Sequence, residues 1–130
     1  MAALSKQAAA LRARYQLVVV ERLGPEPDIS LQAKEALFRI AQEALQNLAR
    51  HSHANKVEVC LESSSQTLVL AITDDGVGFD STREFPGHLG LQSMRERARD
   101  LGGEIAFSGG PGRGTRVAVS IPRSHPKVPA

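Results

Sequence analysis

An acidic, glycine-spaced turn, Asp74-Asp75-Gly76-Val77-Gly78-Phe79, directly follows the apolar and β-branched run Thr67-Leu68-Val69-Leu70-Ala71-Ile72-Thr73. Such a turn lets a carboxylate stop at the edge of a sheet while the glycines let the backbone approach a flat ligand closely, although alone it fits an ordinary acidic turn equally well. Upstream, Glu43, Asn47 and His51 recur at i, i+4 and i+8, which makes one polar ridge on a helix. A carboxylate, a side-chain amide and an imidazole so placed can hold Mg²⁺ with its waters and touch a phosphate. The same spacing also fits a plain helix surface with i,i+4 polar pairs. Downstream, Gly87-His88-Leu89-Gly90 opens a helix. Free backbone N–H groups and the helix dipole favour phosphate there, although a glycine-rich loop can also simply start a helix. Thr115 is either an ordinary β residue or a hydroxyl aimed at a ligand. No Gly-x-x-x-x-Gly-Lys-Ser/Thr phosphate loop occurs. His51 and His53 form a His-x-His pair without carboxylate partners, a weak zinc signal.

The elements that must position these groups can be read from periodicity and punctuation. Residues 3–14 have helical composition and end without a cap, as a severed longer helix would. Gln16–Leu23 is strand-like and is broken by Gly24-Pro25-Glu26-Pro27. Ser30 is placed to cap a helix running to about His51, in which Ala33, Ala36, Leu37, Ile40, Ala41, Ala44, Leu45 and Leu48 form an apolar face. The polar ridge flanks that face, a position suited to the rim of a cleft. Lys56–Glu62 alternates with Val57, Val59 and Leu61 on one side, Ser63–Gln66 turns the chain, and the strand at 67–73 pairs back. A second amphipathic helix turns Leu91, Met94, Ala98 and Leu101 inward and stops at Gly102-Gly103. Strands near Glu104–Ser108 and Gly114–Ile121 flank a glycine-rich hairpin turn at 109–114, and prolines mark a frayed tail at 123–130. Strands grouped around two long helices indicate an α+β, two-layer α/β sandwich.

A chain of 130 residues forms one domain with a real core, which is aliphatic because aromatic residues make up 4% and tryptophan is absent. The formal charge of +2 is a mild excess spread along the chain. Arg95, Arg97 and Arg99 are interrupted by Glu96 and Asp100 without interleaved aromatic residues, which reads as a solvated helix face and not a nucleic-acid surface. Together with Arg113 and Arg116, the same arginines can also draw in a polyanion such as a triphosphate. Cys60 is the single cysteine, so no intrachain disulfide forms. It alternates with Val59 and Leu61 as a small hydrophobe would, and a reducing interior suits it. No signal peptide and no apolar run of membrane-spanning length is present.

Taken together, the motifs resemble those of the GHKL superfamily of gyrases, heat-shock chaperones, histidine kinases and MutL proteins. Arg39–Asn47 with His51 is similar to its N box, Asp74-x-Gly76-x-Gly78 to its first glycine box, Gly87-x-x-Gly90-Leu91 to its second, and Gly114-Thr115 to its closing threonine motif. The order holds from about residue 16 to 122. Within the superfamily, Leu91–Ala98 through Gly103 and the short interval from Phe79 to His88 resemble sensor histidine kinases of the nitrate-sensor and degradation-enzyme-sensor type. The resemblance implies a Bergerat ATP-binding fold, a mixed sheet covered on one face by helices. It sets residues 15–122 as the ATP-binding catalytic domain and 1–14 as the remnant of an upstream helix or linker.

The resemblance further implies that Asp74 accepts a hydrogen bond from the adenine amino group, with Gly76 and Gly78 passing beside the base. Asn47 would coordinate Mg²⁺ through its amide oxygen, and Glu43, the implied catalytic residue, would act through a metal-bound or bridging water. His51 would lie near the phosphates, Gly87, His88, Leu89 and Gly90 would wrap the β- and γ-phosphates, and Thr115 would bind near the base. ATP and Mg²⁺ are the implied cofactors. The implied partners are the parent kinase's dimerisation and phosphoacceptor domain and a response regulator with helix-turn-helix output. No direct nucleic-acid contact and no membrane contact by this segment are implied, and the implied location is cytoplasmic, whether or not the parent is membrane-anchored. An anti-sigma-factor serine kinase of similar length and an ATP-sensing module without transfer activity are the competing readings. The severed N-terminus and the arginine-rich second helix favour the sensor kinase over the first, and Glu43 with Asn47 favours a working pocket over the second.

Overall fold

The computed structural model describes residues 2–15, 18–25, 27–51, 56–75, 88–109 and 114–122. In chain order the elements are α1 (Ala2–Tyr15), β1 (Val18–Arg22), α2 (Leu31–His51), β2 (Lys56–Ser63), β3 (Thr67–Asp74), α3 (His88–Asp100), β4 (Glu104–Gly109) and β5 (Thr115–Pro122). The strands form one mixed sheet in the order β1-β2-β3-β5-β4, parallel only between β1 and β2. The α+β sandwich expected from the sequence is the observed fold.

Local chemistry sets the helix ends. The Ser30 hydroxyl accepts the Ala33 N–H at 3.0 Å, the side-chain cap that its position predicts for α2. At the far end of α3, the Gly103 N–H donates to the Ala98 carbonyl and the Gly102 N–H to the Arg99 carbonyl, both at 2.9 Å. That paired closure is a Schellman motif, and it requires the left-handed conformation that Gly102 supplies at φ +75°.

Strand register then builds the core in rows. Val59, Ile72, Val117 and Phe107 align across β2, β3, β5 and β4, and Leu61, Leu70, Val119 and Ile105 form the next row. Leu37, Ile40, Ala41, Ala44 and Leu45 of α2 and Met94 and Ala98 of α3 close over them. Arg95 reaches past this layer to lie 5.3 Å from the Phe107 ring centroid, a cation–π contact between α3 and the outer strand β4. Its neighbours Glu96, Arg97 and Arg99 are exposed.

The helix read from sequence as a severed stub contributes to this same core. Leu4, Ala8 and Leu11 of α1 are buried with the residues of α2 and β1. A polar tie accompanies that packing: the Ser5 hydroxyl donates to Glu21 at 2.7 Å, and Arg12 donates to the other Glu21 oxygen at 2.8 Å and to the Val19 carbonyl at 2.7 Å. The Ser5 hydrogen bond, followed by Arg12, holds the Glu21 carboxyl below its usual value near 4.5. A depressed folded-state value means the stabilisation is complete above the unfolded value and is lost as pH falls through the folded one. Glu21→Gln is therefore expected to lower stability near neutral pH by about 0.5–1 kcal/mol, the scale of a partly exposed ion pair. In urea titrations that deficit should shrink once the pH drops below the usual carboxylate value. A deficit equal at neutral and acid pH would mean the carboxylate charge contributes nothing.

Candidate functional site

The functional groups converge because of the way the elements end. Helix α2 finishes at His51 and β2 begins at Lys56, so the C-terminal end of the helix and the start of β2 lie at one edge of the sheet. Antiparallel pairing brings the last residue of β3 and the first of β5 to that same edge, with Asp74 opposite Val57 on one side and Thr115 on the other. The row Val57, Asp74, Thr115 continues the rows of apolar residues beneath the helices. Asp74 and Thr115 therefore sit at the end of the helix-covered face, where each is only 5% exposed. A carboxylate in so dry a place makes a stronger hydrogen bond to a donor than the same group in water.

Asn47 stands one turn after Ala44 on α2, the helix that packs on β3. The ridge position suggested a half-covered group, but Asn47 is 6% exposed and its Nδ2 has no hydrogen-bond partner among the described residues. Close contact between α2 and the sheet, absent from a helical wheel, draws it inside. Glu43, one turn earlier, is half-buried, as a rim position requires. A buried side-chain amide on α2 and a buried carboxylate at the end of β3 suit a polar ligand that brings its own charges. Among the described residues no three His, Cys, Asp or Glu side chains gather as a protein-made metal cage. Any cation here would take most of its ligands from a bound anion and from water.

Gly114 explains how β5 reaches Asp74. Its φ is +76°, and a Cβ built on it would collide with the Asp74 carbonyl oxygen. Only a residue without a side chain lets the two backbones close at this edge. Asp75 is a contributor that the sequence reading passed over: its carboxylate accepts the Lys56 N–H at 2.9 Å, and its own N–H donates to the Lys56 carbonyl at 3.2 Å. An Asx residue straight after a strand was the available signal.

His88, Leu89 and Gly90 form the first turn of α3, as their glycine-bounded motif predicts, and α3 is long enough to carry a helix dipole at that turn. His51 closes α2. The side chains of these four residues, and all of Gly76, Gly78 and Gly87, lie outside the described residues, as do His53 and the 123–130 tail. Cys60 lies on the other face of β2, away from this edge. Burial pushes its thiol up, and Glu62 and Glu58 push it further, which suits a packing residue and not a nucleophile.

A sequence profile of the family described as histidine kinase-, DNA gyrase B- and HSP90-like ATPases matches residues 32–125. Over 87 residues the chain is 41% identical to the signal transduction histidine-protein kinase/phosphatase DegS of Brevibacillus brevis, covering 67% of this chain and 22% of that protein. Over 94 residues it is 42% identical to the sensor histidine kinase LiaS of Bacillus subtilis, covering 72% of this chain and 26% of the relative. The chain thus spans about a quarter of the length of these relatives. Among solved structures, the ATP binding domain of PrrB from Mycobacterium tuberculosis superposes with a TM-score of 0.73 at 26% identity, covering 95% of this chain and 93% of that one. The histidine kinase domain of the blue-light activated kinase of Erythrobacter litoralis gives a TM-score of 0.80 at 24% identity, over 92% and 63% of the two chains. At that identity the likeness speaks for the fold.

Proposed function

Because the chain belongs to the histidine kinase-, DNA gyrase B- and HSP90-like ATPase family, we propose that it is the ATP-binding catalytic domain of a two-component sensor histidine kinase. In this reading it donates the γ-phosphoryl group of ATP to a histidine on the parent's dimerisation domain, from which a response regulator takes it. The observation that carries the reading is the buried pair at one sheet edge, Asp74 beside Thr115, with the buried Asn47 amide on the helix packed against that strand.

The roles follow the motif pattern, and burial and register support those of Asp74, Thr115, Asn47 and Glu43. Asp74 accepts the adenine amino hydrogen in a dry setting, and Thr115, directly opposite it, offers a hydroxyl beside the base. Gly76 and Gly78 follow Asp74 closely enough in sequence for the backbone to pass the ring. Asn47 offers its amide oxygen where the phosphates would lie, Glu43 holds a water at the rim, and His51 adds a donor near the phosphates. His88, Leu89 and Gly90 form the first turn of α3, whose backbone N–H groups, with the preceding Gly87, would receive the β- and γ-phosphates. Mg²⁺, when bound with the nucleotide, neutralises the phosphate oxygens and supplies electrophilic activation. Transfer of this kind depends on positioning and charge compensation more than on covalent help from the protein. A cytoplasmic setting follows from the need for ATP, and no helix among the described residues is long and apolar enough to cross a membrane.

The reading is tested with γ-labelled ATP. The chain alone is expected to take up no acid-labile label, because in this reading the acceptor histidine is on a separate domain and His51 would lie beside the phosphates and not in line beyond the γ-phosphorus. Added to the parent's dimerisation helices in trans, it should label them, but slowly, since separation removes an effective concentration on the order of millimolar. Acid-labile label on the chain itself would overturn the separate-acceptor assignment. Acid-stable label on a serine of an added protein would favour an anti-sigma-factor kinase.

A further inference from the structure

The edge that carries Asp74 is held on the β2 side by an exchange in which one backbone atom has been replaced. In an antiparallel pair, opposed residues alternate between those that trade both hydrogen bonds and those that trade none. Register places Lys56 opposite Asp75, one step beyond Val57 and Asp74. The Asp75 N–H donates to the Lys56 carbonyl at 3.2 Å, which marks this as a bonding pair. The reciprocal bond should run from the Lys56 N–H to the Asp75 carbonyl, yet at 2.9 Å the acceptor is the side-chain oxygen Oδ1. Alternation then makes Val57 and Asp74 a non-bonded pair, so the backbone polar groups of Asp74 face β5. The Lys56–Asp75 exchange is thus the tie to β2 on the outer side of Asp74, with Glu58 and Thr73 pairing on the inner side.

We propose that Asp75 is a positioning residue for base recognition: its carboxylate substitutes for its own carbonyl, closing the β2–β3 ladder beyond Asp74 and fixing the Asp74 carboxylate against the base. On the opposite side Gly114 admits β5 up to the Asp74 carbonyl, so the strand end is gripped from both neighbours. A hydrogen bond to a base weakens steeply with misalignment, and fraying of the next residue would be felt first there. Asp75 itself is exposed, so its charge is screened by water and its geometry is what matters. The proposal rests on the reading of Asp74 as the adenine acceptor.

Calorimetry with ATP and with GTP, each with Mg²⁺, tests it on this chain. Asp75→Ala is expected to weaken ATP about three- to tenfold while leaving GTP unchanged, the scale of one lost hydrogen bond. Asp75→Asn keeps an oxygen that can accept the Lys56 N–H and should restore the ATP preference to within about twofold. An Asn variant as weak as Ala would mean that charge is what counts, and the proposal would fall. It would also fall if Asp75→Ala kept the full ATP-over-GTP ratio while Asp74→Asn lost it, an outcome that spares the adenine reading. A wild-type chain with no preference for ATP would instead refute the Asp74 assignment. If the Ala variant does not fold, amide exchange still decides: the Lys56 N–H should be protected in the wild type and in the Asn variant, and rapid exchange in both would disprove the tie.

Discussion

Replacing Asp74 with asparagine is expected to weaken ATP binding about ten- to a hundredfold, the loss of roughly 1.5–3 kcal/mol that goes with a desolvated charge-assisted hydrogen bond. The change is isosteric at a site only 5% exposed, so packing against Val57 and Thr115 is kept. What changes is chemical: one acceptor oxygen becomes an N–H donor, and the charge is gone. The adenine amino group then meets a partial donor. Guanine presents a carbonyl oxygen at the corresponding ring position, so the variant should lose much of its discrimination against GTP. Calorimetry with both nucleotides measures this, and thermal unfolding of the free variant checks that the fold is intact. Unchanged ATP affinity in a folded Asp74→Asn protein would remove the adenine assignment.

What the sequence showed clearly was what is decided locally. Ser30 caps α2, and Gly102-Gly103 ends α3, because each rests on bonds within a few residues. The apolar face of α2 was legible for the same reason, since helical periodicity survives any tertiary arrangement. The order of the strands was not. Insertion of β5 between β3 and β4, and the parallel contact of β1 with β2, rest on pairings that no local pattern records. The role of α1 was hidden by its alanines, which blur the spacing of Leu4, Ala8 and Leu11 until β1 and α2 bury them. Glu21 likewise looks like an ordinary polar strand residue until Ser5 and Arg12 are brought to it.

The site divides along the same line. The place of Asp74 was legible because an apolar, β-branched run ends in a carboxylate there, which the structure shows as the buried last residue of β3. Thr115 was ambiguous until register set it opposite Asp74. Asp75 resembled a second acidic turn residue, because its partner, the Lys56 N–H, lies on another strand and is a backbone group that any residue but proline would supply. Conflicts between local rules and structure gather at this edge, as they do where sequence serves function before stability.

Asn47 brings that conflict to a measurement in which stability and binding should move in opposite directions. Its Nδ2 is buried with no hydrogen-bond partner among the described residues, a state that costs about 1–3 kcal/mol relative to a satisfied group. Asparagine is also a weaker helix former than alanine by roughly half a kcal/mol in a helix interior, and position 47 lies one turn before the end of α2. Asn47→Ala removes both penalties and leaves a small void where the amide stood. The free protein is therefore expected to be as stable as the wild type or more stable by about 0.5–1 kcal/mol, read as a urea midpoint shifted upward at constant slope. Nucleotide binding should show the reverse. If Asn47 lends its amide oxygen to Mg²⁺ as proposed, the variant would leave the ion only phosphate and water ligands. ADP affinity in the absence of metal should be nearly unchanged, whereas the gain on adding Mg²⁺ should largely disappear. Equal metal enhancement in the two proteins would reduce Asn47 to a helix residue that happens to be buried. A marked loss of stability would show that the amide serves the fold, and would remove the reason for regarding its burial as a sign of a ligand.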